Sequence, residues 1–405
     1  MTVETAEVVR RPMRAFQGIS ALPQSREVTS VSGAACCSGP RVLIVVTSHL
    51  IGRGGREEAI RRVMLGMRSA GVAVGLAMLQ AADIPEWHQG IPGEIYVGGM
   101  RADGAIKREL RRAVDFLRTT MGGFCPDTVL VTEPAGAALV RAASLGKRMR
   151  PAVLSWLHLD PRLSRHLWAL ALCDGHLAIC RALAGRLPAL AQSRPTFVVY
   201  NPVELDGVQP CARPAKVELW SIGRLEEQKR VDRMLRAAAC VGSPSWTLNI
   251  VGDGTDRSML AALASRLGIG ERIRWYGWMD DPWQVVTSAS ALLLSSRLEG
   301  FPVVLLEALA HGVPIIAMDC PFGPREIVLD GINGWLVPDG DIGGMAKAIE
   351  DICSGRYVVP SAEAVRATAA RFATGAVIGR MLDARVFVHQ KQKGCGPRRV
   401  EWRGC

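Results

Sequence analysis

Residues 291–320 read ALLLSSRLEGFPVVLLEALAHGVPIIAMDC, and this stretch decides the architecture. Ala291–Ser296 has the look of a strand buried on both faces of a parallel sheet. Glu299-Gly300-Phe301-Pro302 interrupts it, a short apolar helical segment follows, and Pro314–Met318 reads as the next strand. Proline suits the first helical position and glycine the residue just past the last turn, so Pro302 and Gly312 bracket the helix. Inside it Glu307 is the only ionisable side chain between Val303 and Ala310. A carboxylate there is costly unless something pairs with it. Glu299 stands eight positions earlier, at the mouth of the strand-to-helix turn. Two carboxylates framing a turn at a helix N-terminus suit an anionic ligand that also carries hydroxyls. Backbone N–H groups and the helix dipole take phosphate, and the carboxylates accept from hydroxyls. A nucleotide sugar has both features.

Outward from this stretch the alternation repeats. Arg41–Thr47 (RVLIVVT) is a continuous apolar run, the loop SHLIGRGG follows, and a helical pattern covers Glu57–Ala70. Val72–Leu79 and Thr128–Val131 read as further strands. An irregular, Pro-containing segment from Asn201 to Ala215 breaks the rhythm. It restarts with strand Val217–Ile222, helix Val231–Ala239, strand Trp246–Val251, helix Ser258–Gly268 and strand Ile273–Tyr276. The expectation is an α/β protein of two Rossmann-like domains, 41–202 and 216–384, joined by a linker at 203–215. A ligand cleft should lie between the carboxyl ends of their strands. Residues 1–40 lack the apolar core of a signal peptide and read as a disordered leader, and 385–405 as a basic tail.

Composition narrows the classes. Of 405 residues 49% are hydrophobic, ample for two packed cores, and no run of apolar residues is long enough to span a membrane. Eleven cysteines without a C-x-x-C pair argue against zinc and a disulfide framework, and suit a reducing cytoplasm. The net charge of +11 is uneven: residues 41–200 hold 21 Lys/Arg against 12 Asp/Glu, whereas 201–384 hold 18 against 22. A basic nucleic-acid binder would pair such charge with aromatics, which are only 5% here. No early strand leads into G-x-G-x-x-G, which excludes a Rossmann dehydrogenase.

Glu299-x7-Glu307, inside EGFPVVLLEALAHGVPII, resembles the signature of family 4 retaining glycosyltransferases of the GT-B fold. A bare Glu-x7-Glu is most often a loop glutamate plus a helical glutamate paired with some arginine. Here it arrives with its turn, helix and strand, and three further motifs agree in order. Ser221–Lys229 (SIGRLEEQK) resembles the family's second motif, and its loop can aim Arg224 and Lys229 at one point. In a nucleotide sugar that point is the pyrophosphate, whose charge grows as the sugar leaves, so preorganised cations favour the transition state. Val251-Gly252-Asp253-Gly254 resembles the turn on the nucleoside side, and Tyr276-Gly277-Trp278-Met279 the base-reading loop. Asp319–Ile327 (DCPFGPREI) looks like a variant frequent among lipopolysaccharide and O-antigen hexosyltransferases, which favours UDP over GDP. His158, in Ser155-Trp156-Leu157-His158, resembles the histidine that reaches the donor sugar across the cleft. Gly54-Gly55 resembles the first-strand glycine loop, with Arg56 where an acidic residue is usual, so acceptor specificity does not transfer.

The resemblance implies a GT-B, retaining, metal-independent hexosyltransferase with no cofactor. Glu299, His158, Arg224 and Lys229 would be catalytic, and Gly54, Gly55, Gly252, Gly254, Trp278, Gly300, Phe301, Pro302 and Glu307 would bind the donor. The implied partners are a nucleotide sugar and a glycan or lipid-linked acceptor, without nucleic acid, at the cytoplasmic side of the membrane. A GT-B epimerase of UDP-N-acetylglucosamine and a GDP-mannose-dependent mannosyltransferase stay open as alternatives. In Ala102–Arg118, Ile106, Leu110, Val114 and Leu117 recur at helical spacing, with Lys107, Arg108, Arg111, Arg112 and Arg118 mostly off that stripe. Such a helix either rests on anionic lipid or turns its stripe to the core.

Overall fold

The computed structural model describes residues 39–98, 100, 106–147 and 150–394, so all but the last two residues of the expected leader, and the last part of the tail, lie outside the described residues. Two all-parallel sheets organise the rest. The first contains β1 (Arg41–Val46), β2 (Ala73–Met78), β3 (Glu94–Val97), β4 (Thr128–Val131), β5 (Ala152–Leu157), β6 (Gly175–Ala178) and β7 (Thr196–Val198), in the order β3-β2-β1-β4-β5-β6-β7. The second contains β8 (Val217–Ile222), β9 (Trp246–Val251), β10 (Ile273–Gly277), β11 (Ala291–Leu294), β12 (Ile315–Asp319) and β13 (Gly334–Pro338), in the order β10-β9-β8-β11-β12-β13. Apolar runs such as Leu43–Val46 and Leu292–Leu294 are buried on both faces, as covered parallel sheets require.

In each sheet the strand order reverses beside one strand: β1 lies between β2 and β4, and β8 between β9 and β11. Ligands of open α/β sheets bind outside the carboxyl ends of the strands at such reversals. The loops singled out from the sequence leave the strand carboxyl ends, those after β1 and β8 at the reversals themselves and those after β5, β9, β10 and β11 along the same edges.

The helix Val303–Ala310 follows β11, and Leu305, Leu306 and Leu309 are fully buried in it. Pro302 sits one position earlier than expected, as the cap, because its ψ of 107° is extended rather than helical. Gly312, at φ 68°, takes the left-handed turn past the helix end.

The C-terminal boundary differs from expectation. Helix Thr374–Gln392 runs past residue 384 and returns to the first domain. Thr374 and Ile378 press on Gly66, and Val388 beside Gly175 is 1% exposed. Arg385 forks onto Asp127 (Nη2–Oδ2 2.9 Å, Nε–Oδ1 3.0 Å), which pairs the first of the cations that made this segment read as a tail. In packing terms the last helix therefore belongs with the first domain.

Helix Ile106–Phe124 also departs from its expected stripe. Its buried face is Glu109, Ala113, Leu117, Thr120, Met121 and Phe124, leaving Ile106 78% and Leu110 46% exposed.

Candidate active site

Lys229 and Glu299 are brought together by two loops sewn to each other. Lys229 ends a short turn after β8, and Arg230 then takes a left-handed backbone (φ 47°) before helix Val231–Ala239. That conformation is uncommon for a residue with a side chain. The Ser295 hydroxyl holds it by donating to the carbonyls of Lys229 (3.1 Å) and Arg230 (2.8 Å). Arg297 N–H donates to Gln228 O (2.9 Å), and Gln228 Nε2 to Leu298 O (2.8 Å). The result places Lys229 Nζ 2.7 Å from Glu299 Oε1, where the Ser296 hydroxyl also donates at 2.6 Å. Glu299 is only 7% exposed, so this double donation is what lets a carboxylate sit there. Arg224 pairs with Glu226 (Nη1–Oε1 3.0 Å) and lines the same small cavity as Lys229, Ser295 and Ser296, between the ends of β8 and β11.

Gly252 and Gly254 have a structural reason to be glycine. A Cβ on Gly252 (φ 139°) would lie 1.9 Å from the Gly223 carbonyl oxygen, and one on Gly254 2.3 Å from that of Leu225. The Gly252 N–H donates to Gly277 O at 2.7 Å, so the loops after β8, β9 and β10 stack backbone to backbone. Trp278 follows, its ring 5.0 Å from the guanidinium of Arg53, a residue of the first domain.

On the other wall His158 directly follows β5, 7% exposed and tilted against Trp156 (ring centroids 4.4 Å). Burial, helped by the positive charge of Arg56, lowers its pKa to about 3, so the imidazole is neutral at physiological pH. Its Nε2 has no hydrogen-bond partner among the described residues. The His158 carbonyl abuts Gly300, where a Cβ would lie 2.2 Å from it, so the Glu299 turn reaches His158 only because residue 300 has no side chain. Phe301, at the centre of the turn, packs inward. Its ring is 3% exposed, stacked on Tyr200 (5.0 Å) and edge-on to Phe372 (5.7 Å), while Asn201 Nδ2 donates to its carbonyl (3.0 Å). Phe301 anchors the turn through the core, since apolar area is worth most when fully removed from water.

Gly54 caps helix Gly55–Ser69, and Glu57 folds back to accept from the N–H groups of Ile51 (3.2 Å) and Gly52 (3.1 Å). A Cβ on Gly55 would touch Val303 at 3.5 Å, so the first turns of helices Gly55–Ser69 and Val303–Ala310 meet across the cleft. Two helix N-termini converging beside Pro302 suit an anion. Arg56 is held by Glu133 Oε1 and Ser48 Oγ, both at 2.8 Å.

Glu307 has partners on both oxygens: Arg62 Nη2 donates to Oε1 (2.5 Å) and Trp283 Nε1 to Oε2 (3.0 Å). Arg62 belongs to the first domain, and Trp283 stacks on His311 at 4.2 Å. The sequence reading missed Arg62, Trp283, Glu133 and the contact that Glu326 makes with the first domain. Glu326, from the DCPFGPREI stretch, accepts from the N–H groups of Arg181 (2.9 Å) and Ala182 (3.0 Å) in the opposite domain. Only the lone carboxylate at 307 signalled that a partner must exist. Among the described residues no three His, Cys, Asp or Glu side chains group as metal ligands.

Residues 212–372 match the family described as Glycosyl transferases group 1. The lipopolysaccharide 1,6-galactosyltransferase of Escherichia coli strain K12 is 30% identical over 315 residues, covering 75% of this chain and 87% of that protein. The chain belongs to the group 1 glycosyltransferases. The Salmonella typhimurium lipopolysaccharide 1,6-galactosyltransferase is 35% identical over 239 residues, 57% of this chain and 66% of that protein. Among solved structures the apo lipopolysaccharide outer core galactosyltransferase WaaB superposes with a TM-score of 0.72 at 26% identity, over 86% of this chain and 99% of that one. Anabaena HepE in complex with UDP shares the fold, with a TM-score of 0.70 at 19% identity over 85% and 99%. This glycosyltransferase thus has the GT-B architecture expected of its sequence, two parallel-sheet Rossmann-like domains.

Proposed function

We propose that this glycosyltransferase is a retaining, metal-independent enzyme that moves a hexose or N-acetylhexosamine from a UDP-sugar to a lipid-linked or polysaccharide acceptor in lipopolysaccharide-type glycan synthesis. The observation that carries the reading is the Lys229–Glu299 contact beside Arg224, facing His158 over Gly300. In this reading Lys229 and Arg224 receive the pyrophosphate, whose negative charge grows as the glycosidic bond breaks. Glu299 orients Lys229 and accepts from hydroxyls of the transferred sugar. Neutral His158 offers its Nε2 to another sugar hydroxyl, and Glu307 holds the ribose. Retention rests on the family resemblance.

The relatives named as lipopolysaccharide galactosyltransferases make UDP-galactose the first donor to test. A panel of UDP-galactose, UDP-glucose, UDP-N-acetylglucosamine and GDP-mannose should show one selective rise in melting temperature. A ligand at a hundred times its Kd adds about 2.7 kcal/mol. Preferential stabilisation by GDP-mannose would overturn the UDP assignment, and acceptor-free turnover of UDP-N-acetylglucosamine would point to an epimerase.

The same reading places the first domain on an anionic membrane surface at the cytoplasmic face. Exposed Ile106 and Leu110 stand beside exposed Lys107, Arg108 and Arg111. Leu163 and Trp168, exposed beside Arg162 and Arg165, follow His158 in the chain. Apolar side chains flanked by cations are the pattern of an interfacial surface. Among the described residues no helix is long and apolar enough to cross a membrane.

A further inference from the structure

Arg62 touches three segments at once. Its Nε donates to Glu58 Oε1 one turn earlier (2.7 Å), its Nη1 to the carbonyl of Pro202 in the crossover between domains (3.2 Å), and its Nη2 to Glu307 Oε1 (2.5 Å). Burial alone would lower its pKa, yet the charges of Glu307 and Glu58 outweigh that and raise it, so the cation is permanent. A guanidinium has its donors in a rigid fork, and an ammonium cannot span three acceptors set this way.

The carboxylate at 307 is therefore oriented before any donor arrives. It offers about four lone-pair directions. Arg62 takes one on Oε1 and Trp283 one on Oε2. One direction stays open on each oxygen, and a ribose presents two adjacent hydroxyls. We propose that Arg62 is a positioning residue: it presets Glu307 for the paired hydroxyls of the donor ribose, so a residue of the first domain governs sugar recognition in the second. This rests on the reading of Glu307 as the ribose-holding group. An oriented carboxylate loses no rotamer freedom on binding, and a freely rotating one would.

The test compares binding of UDP and 2′-deoxy-UDP by titration calorimetry, with GDP and 2′-deoxy-GDP substituted if the donor panel selects GDP. The full-length protein should bind the ribonucleotide roughly tenfold or more tightly, as expected for a lost hydrogen bond to a charged group. In Arg62→Ala the ratio should fall to within about twofold, with Arg62→Lys intermediate and kcat at saturating donor within about threefold. A general packing defect would weaken both nucleotides alike and leave the ratio intact, which overturns the proposal. If Arg62→Ala does not fold, Arg62→Lys decides alone, and an unchanged ratio there overturns it too. Glu307→Gln separates the two levels. A ratio kept in Glu307→Gln removes the ribose reading itself, whereas a ratio lost there but kept in Arg62→Ala removes only the inference about Arg62.

Discussion

Lys229 and Glu299, seventy positions apart in sequence, share one contact of 2.7 Å, and a third residue, Ser296, donates to the same carboxylate oxygen. The buried carboxylate is thereby saturated on one oxygen and holds the ammonium at the mouth of the cavity between β8 and β11. Removing either partner leaves the other charge without its counterion, so the two residues behave as a unit.

Lys229→Ala and Glu299→Ala should each lower kcat, and the double variant should lose less than the sum of both, with a coupling of about 0.5–3 kcal/mol. Glu307→Ala should instead raise the donor KM with kcat nearly unchanged. Steady-state kinetics with varied donor separates the two patterns. Additive losses for the first pair would show that they act independently.

Turnover should survive EDTA, and Arg224→Ala should reduce kcat by about 10²-fold, the size of a lost oxyanion donor. A strict requirement for Mg²⁺ or Mn²⁺ would refute the role assigned to Arg224 and Lys229.

His158 predicts a pH dependence of stability with a definite sign. Its folded pKa is lowered to about 3 by burial and by Arg56, below the 6.5 of a free imidazole. The unfolded chain thus takes up a proton below pH 6.5 that the folded protein refuses, and stability falls with pH in that window. The loss attributable to His158 is about 2 kcal/mol between pH 6.5 and 5. Denaturant titrations of wild type and His158→Gln should converge as pH falls. Parallel curves would mean that the imidazole is charged in the folded state.

Anionic vesicles should co-sediment the protein, and salt or Arg111/Arg112→Glu should release it, since each cation near such a surface contributes about 1 kcal/mol. Equal binding to neutral and anionic vesicles would reduce the basic face to a solvated one.

Much of the architecture was legible because covered parallel strands are continuous apolar runs. Thr128–Val131, Val217–Ile222 and Trp246–Val251 have the bounds read from the sequence. β3 (Glu94–Val97), β6 (Gly175–Ala178) and β7 (Thr196–Val198) were not recognised, being only three or four residues long; β3 and β6 also open on a charged residue or glycine, while the run Phe197–Tyr200 at β7 merges into the irregular segment after it. The cations and carboxylates of the second domain could be picked out because each stands in a short local motif. Arg62 could not, because its partner Glu307 is 245 positions away and an Arg four residues after a Glu looks like an ordinary helix-surface pair. The last helix was misplaced for a related reason: Arg385 reads as solvated until Asp127 is seen beside it.

The return of helix Thr374–Gln392 to the first domain has a consequence for synthesis on the ribosome. All seven strands of the first sheet have emerged once Val198 has left the tunnel, yet Ile378 and Val388 come almost two hundred residues later. At about 5–20 residues per second the gap is roughly ten to forty seconds. Through that interval the nascent first domain presents to water the apolar surface beside Gly66 and Gly175 that the helix later covers. Chains stalled after residue 373 should therefore be cut by protease within residues 41–198 faster than released chains. The oldest part of the molecule would then be the last to become safe from its own stickiness, and folding chaperones would have to tend it until termination.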